Sequence, residues 1–434
     1  MRLIRTIHPV ISTDPAPRDV DAAALGVLVK MSVRKRRLIR VMEAFLRPLV
    51  AGVERVRCLP ANTGGKAAKI LVMEYWNLGD VVMLTPFLRS LRIQYPAASI
   101  TLLTSPKAAP LLEHQGLVDQ VLTVRVPWAQ HYSRWKKYNP WSPGWFELLR
   151  TVKFLRTQRF DLAFTARADI RENFILWVVR VARRVGYGFG GGGFLLTDTV
   201  IPDLQHRHFS DRWLRLLEHA GKLALVRQPS LRVSPEEGKF AQKALEERGL
   251  HDTEFLVGIH PGARSAARQW GEENFVTLAQ RLEARFPIKI VWFQDPNGIP
   301  SVADRNQLQP LSLPLRQFMA VLSRCGLFIC NDSGPMHIAT ALGVPVVAVF
   351  GPTEPVWFGP LGQENRVVSQ PGFWCRPCFD YCLFDQPYCL RTISVESVFE
   401  ASAQALNSLL LKTKQRATRN ESTIPVEEAK ETAC

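Results

Sequence analysis

Residues 326–342 read GLFICNDSGPMHIATAL, in which an apolar run is followed by a polar elbow and then by a stretch of helical character. This turn between a strand and a helix, residues 331–337, is called the elbow below. Such a turn is a favourable binding site for phosphate. The first-turn amides of a helix lack intrahelical partners and carry the positive end of its dipole. The Ser333 hydroxyl can add a hydrogen bond, and Gly334 permits close approach. We therefore predict an anion site at residues 331–337.

The same alternation of apolar strands and helices extends along most of the chain. It predicts parallel, doubly wound α/β sheets. With 434 residues, 47% of them hydrophobic, the chain can bury two cores. We predict strands at Lys69–Met73, Ser99–Leu103, Val121–Val124, Asp161–Thr165, Phe255–His260, Ile288–Phe293, Leu327–Cys330 and Val344–Phe350. Predicted helices are Asp80–Gln94, Trp145–Thr157, Glu272–Arg285, Pro314–Arg324 and Pro335–Leu342.

The expected organisation is two domains facing a cleft. We place the first domain at residues 67–228 and the second domain, which contains residues 331–337, at residues 229–411. A basic amphipathic extension, residues 1–66, precedes them. Residues 412–434 are polar, charged and poor in apolar side chains, which predicts a disordered tail.

Four segments together resemble glycosyltransferase family 9, whose best-known members are the heptosyltransferases of lipopolysaccharide core synthesis. They are the elbow described above, LGDVVMLTP at 78–86, IHPGA at 259–263 and RQWGEENF at 268–275. The segments occur in the family's order, and the resemblance covers residues 69–405. It implies the GT-B fold, in which two Rossmann-like domains enclose a cleft. The resemblance assigns acceptor binding to the first domain and nucleotide-sugar binding to the second.

The resemblance implies specific roles in that cleft. Asp80 follows the first strand, where ligands of open parallel sheets gather, and is the implied general base. Its alternative role is to cap the helix beginning at Val81. The implied diphosphate site consists of Arg264, Arg268, Asp332, Ser333, Gly334 and His337. At Arg268 the family usually has lysine, and arginine keeps the charge while adding a planar fork. His337 either contacts phosphate or caps internal structure.

The implied reaction is metal-independent transfer with inversion, using no cofactor. Heptose from ADP-heptose, or a related sugar, would move to a lipopolysaccharide core or lipid-linked glycan acceptor. The only Asp-x-Asp is Asp19-Val20-Asp21, in the extension, where linker polarity explains it better than a metal clamp. The alternatives are a GT-B transferase that uses another nucleotide sugar and a non-catalytic nucleotide-sugar binding protein.

One segment departs from the family pattern. QDPNGIP at 294–300 stands where the family commonly has a glycine-rich turn and an acidic helix that hold the nucleoside. Asp295 either reaches a ribose hydroxyl or serves as a turn residue. The nucleoside pocket is therefore expected to be reshaped.

The segment Pro127–Pro143 contains three tryptophans and two tyrosines together with basic side chains. This composition suits stacking on a sugar and contact with phosphate, so Trp135 and Lys136 are candidate acceptor-binding residues. The alternative is ordinary packing of an aromatic loop.

The formal net charge of +16 is unevenly placed. Nine Lys or Arg and two Glu lie between Lys30 and Arg57, among apolar residues at helical spacing that include Leu38, Met42, Phe45, Leu46 and Leu49. This predicts a basic amphipathic helix, broken near Pro48, that either lies on an anionic membrane surface or packs on the enzyme body. Nucleic acid is disfavoured as a partner because aromatic residues do not interleave with the basic ones.

Two features of the sequence indicate where in the cell the protein is expected. No run of 18 apolar residues and no secretion signal is present, so we expect a cytoplasmic protein, peripheral on the inner membrane.

Four of the eight cysteines cluster as Cys375-x2-Cys378-x3-Cys382-x6-Cys389. Four thiolates can hold zinc or an iron-sulfur cluster, but the spacing differs from the paired Cys-x2-Cys of common zinc ribbons. Reduced structural thiols, disulfides and a metal site therefore remain three alternatives.

Overall fold

The computed structural model describes residues 33–57, 67–129, 139, 141–203, 208–251, 253–295, 308–380 and 382–421. After helix α1 (Val33–Arg57), the first half contains β1 (Lys69–Glu74), α2 (Leu78–Gln94), β2 (Ser99–Thr104), β3 (Gln120–Thr123), α3 (Pro143–Gln158), β4 (Leu162–Thr165), α4 (Ile170–Val179), β5 (Arg183–Tyr187), β6 (Asp198–Val200) and α5 (Phe209–His219).

The second half starts with α6 (Pro235–Glu246), β7 (Phe255–His260), α7 (Glu272–Arg285), β8 (Ile288–Gln294), β9 (Leu311–Ser312) and α8 (Leu315–Leu322). It continues with β10 (Leu327–Asn331), α9 (Gly334–Ala341), β11 (Val346–Phe350), α10 (Pro355–Phe358), β12 (Arg366–Ser369), α11 (Tyr388–Arg391) and α12 (Val395–Glu421). The predicted boundary near residue 228 falls between α5 and α6.

The first sheet has six parallel strands in the order β3-β2-β1-β4-β5-β6. β1 is central because its residues 70–73 are apolar and have no exposed surface, as expected of a strand covered on both faces. The order reverses between β1 and β4. Ligands of such sheets bind outside the carboxyl ends of the strands at this reversal, and α2 begins there.

The second sheet repeats this arrangement. Its order is β12-β11-β10-β7-β8-β9, so β7 is central and the reversal lies between β7 and β10. The polar elbow follows β10 directly. In each half, therefore, the sheet edge at which ligands are expected lies at the reversal of the strand order.

The carboxyl edges of the two sheets meet where α2 packs against α9. A Cβ added to Gly79 would lie 2.7 Å from Cδ2 of His337, and one added to Gly334 would lie 3.1 Å from Cβ of Leu78. Glycine at these two positions permits the close approach of the two helix starts. One buried apolar cluster contains residues of both halves, including Phe87 and Phe328.

The predicted fold, two doubly wound domains facing a cleft, is confirmed. Strands β5, β6, β9 and β12 were not predicted, and several predicted bounds differ. α1 continues through Pro48, where a break was predicted. α2 begins at Leu78, earlier than predicted. α12 continues to Glu421, although a disordered tail was predicted from residue 412. Among the described residues, no helix is both long enough and apolar enough to cross a bilayer.

Candidate functional site

Asp80 lies in the first turn of α2, at the carboxyl edge of the first sheet. Its Oδ2 accepts hydrogen bonds from the backbone nitrogen of Asn77 at 3.0 Å and from Nδ2 of Asn77 at 2.8 Å. The capping alternative is thus partly realised, although the helix starts at Leu78 and not at Val81. One carboxylate oxygen is occupied by the turn, which leaves Oδ1 to face the cleft.

The partner of Oδ1 is Arg167, which follows β4. Its Nη2 lies 2.7 Å from Oδ1, and its guanidinium stands 5.1 Å from the ring centroid of Trp76 and 4.5 Å from that of Phe209. Burial alone would raise the pKa of Asp80, but Arg167 and the Asn77 hydrogen bonds lower it below its ordinary value. Asp80 is therefore ionised at neutral pH, as a general base must be.

Two further carboxyl groups lie behind Asp80. Burial raises the pKa of Glu74 to about 8 and that of Glu172 to about 7. Glu172 accepts hydrogen bonds from the Thr165 hydroxyl and, at 2.8 Å, from Nε1 of Trp76. Separated pKa values of this kind assign roles to neighbouring carboxyl groups. Asp80 is the member of the trio that is suited to accept a proton.

The predicted donor arginines lie across the cleft, between acidic side chains. Nη1 of Arg268 is 3.0 Å from Oδ2 of Asp332, and Nε of Arg268 is 2.8 Å from Oδ1 of Asp380. Arg264 also pairs with Asp380. Asp332 accepts a further hydrogen bond from the Thr353 hydroxyl, so its carboxylate orients Arg268 from the end of β10.

Ser333 and Gly334 form the start of α9, as the elbow predicted. The Oγ of Ser333 is buried and makes no hydrogen bond to the described residues. A buried hydroxyl without a partner is costly unless a ligand or water satisfies it. Together with the first-turn amides, it makes the start of α9 chemically suited to bind an anion.

His337 belongs to the contact between the halves. Its ring packs beside Gly79, and burial lowers the pKa of its imidazole to about 3. A neutral ring in this position supports the internal-structure alternative over a charged contact with phosphate. His337 also experiences the charges of Asp80 and Arg268, and Arg264 contributes to the lowered pKa of Asp80. The base and the donor cations therefore share one cleft.

Three site residues were missed by the sequence reasoning: Arg167, Thr353 and Asp380. Arg167 follows a predicted strand at the ligand edge, a signal that was available. Thr353 lies in the turn after β11. Asp380 lies in the cysteine segment, and nothing local in the sequence places it beside Arg264.

Of the remaining predicted site residues, Trp135 and Lys136 lie outside the described residues. Oδ1 of Asp295 is 3.4 Å from Nε2 of His260, and this pairing lowers the pKa of the Asp295 carboxyl. Asp295 is thus engaged with His260 at the end of β7.

The cysteine segment contains no disulfide among the residues that the structure describes. Burial raises the pKa of Cys389 to about 11, and the neighbouring cysteines 375, 378 and 382 contribute. Within the described ranges, no three His, Cys, Asp or Glu side chains are grouped so that they could hold a metal ion.

Comparison with known proteins was made on sequence and on structure. The family model "Glycosyltransferase family 9 (heptosyltransferase)" matches residues 148–388. The lipooligosaccharide heptosyltransferase 2 of Haemophilus ducreyi is 27% identical over 328 residues, covering 69% of this chain and 88% of the relative. The lipopolysaccharide heptosyltransferase 2 of Escherichia coli K12 is 24% identical over 323 residues, covering 69% and 87%.

Two solved structures share the fold. The E. coli ADP-heptose lipopolysaccharide heptosyltransferase II superposes with a TM-score of 0.59 at 22% identity, covering 80% of this chain and 99% of that one. A glycosyl transferase family 9 protein from Veillonella parvula gives 0.62 at 24% identity, covering 79% and 98%. At these identities the structural likeness concerns the fold alone.

Proposed function

This chain belongs to glycosyltransferase family 9 and is a glycosyltransferase, and we propose that it transfers heptose or a related sugar onto a lipid-linked glycan of the lipopolysaccharide core type. One observation carries the proposal. The ionised carboxylate of Asp80 pairs with Arg167 and experiences the charge of Arg264 from the second half, at the place where the starts of α2 and α9 meet.

We infer a single displacement at the anomeric carbon. The acceptor hydroxyl oxygen attacks opposite the diphosphate, the bond from carbon to diphosphate oxygen breaks, and Asp80 takes the hydroxyl proton. Attack from the opposite side inverts the anomeric configuration. The low pKa of Asp80 supports this role, because the group is already deprotonated before the acceptor arrives.

The donor site is proposed to bind the diphosphate through Arg264, Arg268, Ser333 and the first-turn amides of α9. These groups would stabilise the charge that develops on the leaving group without a metal ion. Losing one such contact typically costs roughly 3 to 4 kcal/mol of barrier. A fold neighbour is named an ADP-heptose heptosyltransferase, and that name supports ADP-heptose as the first donor to test. Trp135 and Lys136 remain proposed acceptor contacts.

We also propose that the enzyme works at the cytoplasmic surface of the inner membrane, docked through α1. The two acidic residues of this helix point toward the protein body: Glu43 accepts a hydrogen bond from Gly192 at 2.6 Å, and Glu54 lies 3.3 Å from Arg184. The outward side combines exposed arginines, Arg37, Arg40 and Arg55, with seven exposed apolar side chains: Leu38, Val41, Met42, Phe45, Leu46, Leu49 and Val53. An apolar face rimmed by positive charge suits an anionic lipid surface.

The substitution Asp80→Asn tests the catalytic proposal. We expect turnover with ADP-heptose and a lipopolysaccharide core acceptor to fall about 10²- to 10⁴-fold, as is typical when a general base is lost. Donor binding, measured by calorimetry without metal, should be retained. Asp119→Asn, which removes a partly exposed carboxylate that pairs with Arg92 at the opposite end of α2, is the control. Unchanged turnover in Asp80→Asn would favour the non-catalytic binding protein. A panel of UDP-, GDP- and dTDP-sugars identifies another donor if ADP-heptose does not bind.

A further inference from the structure

The donor site is electrically balanced in the empty enzyme. Arg264 and Arg268 supply two positive charges, and Asp332 and Asp380 supply two negative ones, all within ion pairs. A diphosphate brings at least two negative charges of its own. It therefore meets arginines that already form ion pairs with carboxylates.

The two carboxylates differ in how they are held. Asp332 lies at the end of a central strand, is 3% exposed and is fixed by the Thr353 hydroxyl. Asp380 comes from the cysteine segment and reaches the arginines only with its side chain, with a weak additional contact to the Ser265 hydroxyl at 3.4 Å. Asp332 is part of the framework, whereas the Asp380 carboxylate can leave by a side-chain rotation.

We propose that Asp380 is a resident competitor of the donor diphosphate: its carboxylate takes the arginine contacts in the empty enzyme, and the donor binds by displacing it. This inference rests on the proposed function, since it takes Arg264 and Arg268 as the phosphate ligands. It adds a residue that sets the affinity for donor and for the released nucleotide.

The backbone around Asp380 is held, so the carboxylate can return. The backbone nitrogens of Cys378 and Phe379 donate to the carbonyl oxygen of Pro352 at 3.0 and 3.2 Å. The Phe379 ring stacks on Trp357 with centroids 6.2 Å apart. Only the side chain of Asp380 needs to move when the arginines change partners.

Competition between Asp380 and the diphosphate would help turnover at the step of product release. Once the sugar has left, the nucleoside diphosphate product keeps its charge and would stay on two unopposed arginines. Return of Asp380 replaces those contacts and assists product release. The cost is a weaker donor complex, because binding must break the pairs with Asp380 first.

The test is the binding of ADP and of inorganic pyrophosphate to Asp380→Asn, measured by calorimetry without metal. The amide keeps the shape and removes the charge. We expect both dissociation constants to fall about tenfold, the effect of removing one like charge near a bound anion. Asp385→Asn, an exposed carboxylate of the same segment, should bind as the wild type does. Asp380→Ala should tighten binding in the same direction.

Equal or weaker binding by Asp380→Asn would overturn the inference and make Asp380 a support that holds the arginines in place. Early melting of both Asp380 variants without ligand would likewise show a structural role. If folded wild type and variants all fail to bind both ligands, the donor site itself is wrong and the proposed function fails with it. Binding by the wild type without a gain in the variants refutes the competitor role alone.

Discussion

The ionisation of Asp80 depends on one neighbouring residue. Arg167 offsets the effect of burial on the pKa of Asp80, and the charge of Asp80 in turn raises the pKa of Arg167 against the effect of desolvation. Glu74, 3.7 Å from the same guanidinium, keeps its proton because it is wholly buried. Arg167 is thus a positioning residue that keeps the base charged and holds its free oxygen in the cleft.

Replacement of Arg167 by Gln is expected to shift the pH dependence of kcat/KM. Because Arg167 lowers the pKa of Asp80, its loss raises that pKa, and the base is protonated over a wider acidic range. The acidic limb should move up by about one pH unit or more, so activity falls more at pH 6 than at pH 8. Steady-state rates from pH 5 to 9 provide the measurement. Arg156→Gln, an exposed arginine on α3, is the control, and an unmoved acidic limb would contradict the assignment.

At the scale of elements, strand positions were the most predictable feature. Each buried parallel strand is a short apolar run bounded by turn residues, and the strand edge fixes where Asp80, Arg268 and Ser333 lie. Helix ends were harder. The start of α2 depends on Asn77 and its contact with Asp80, and α12 is anchored by Val398, Ala405 and Leu406, which are buried against the second sheet.

The ion pairs of the site could not be predicted, because they depend on tertiary placement. Arg167 meets Asp80 only because β4 pairs with β1. Asp380 meets Arg264 only because its segment is hydrogen-bonded to Pro352 after β11. No local spacing or periodicity encodes either contact.

The helix α1 makes an element-scale prediction about membranes. Phe45 and Leu49 are 72% and 66% exposed, and the double change to Ser should weaken binding to vesicles containing anionic phospholipid at least about tenfold, given about 1.5–3 kcal/mol per buried apolar side chain. Co-sedimentation at low and high salt measures the loss. The matched control is Leu223→Ser with Leu225→Ser, which are 67% and 50% exposed.

Vesicle binding that is equal in the two double variants would place the contact elsewhere. A wild type that does not bind anionic vesicles would refute membrane docking and leave α1 as a helix packed on the body. Equally strong binding to zwitterionic and anionic vesicles would show that the arginines do not contribute to docking.

At the scale of the whole molecule, the two sheets have the same strand order and are joined by more than a linker. Nε2 of His208 in the first half lies 3.0 Å from the carbonyl oxygen of Gly359 in the second, and one apolar cluster runs through both halves. The starts of α2 and α9 meet at two glycines. The cleft is consequently set by packing that both halves share.

This shared packing predicts that the halves unfold together. A single calorimetric transition is expected, with calorimetric and van't Hoff enthalpies that agree, because separating the halves would expose the common cluster. Gly79→Ala places a Cβ 2.7 Å from His337 and should lower the stability of the entire molecule by about 1–3 kcal/mol without splitting the transition. Gly238→Ala is the matched control, since no atom lies within 4 Å of its added Cβ and alanine favours a helix. Two resolved transitions, with only one shifted by Gly79→Ala, would show that the halves are independent and that the cleft between them is free to open.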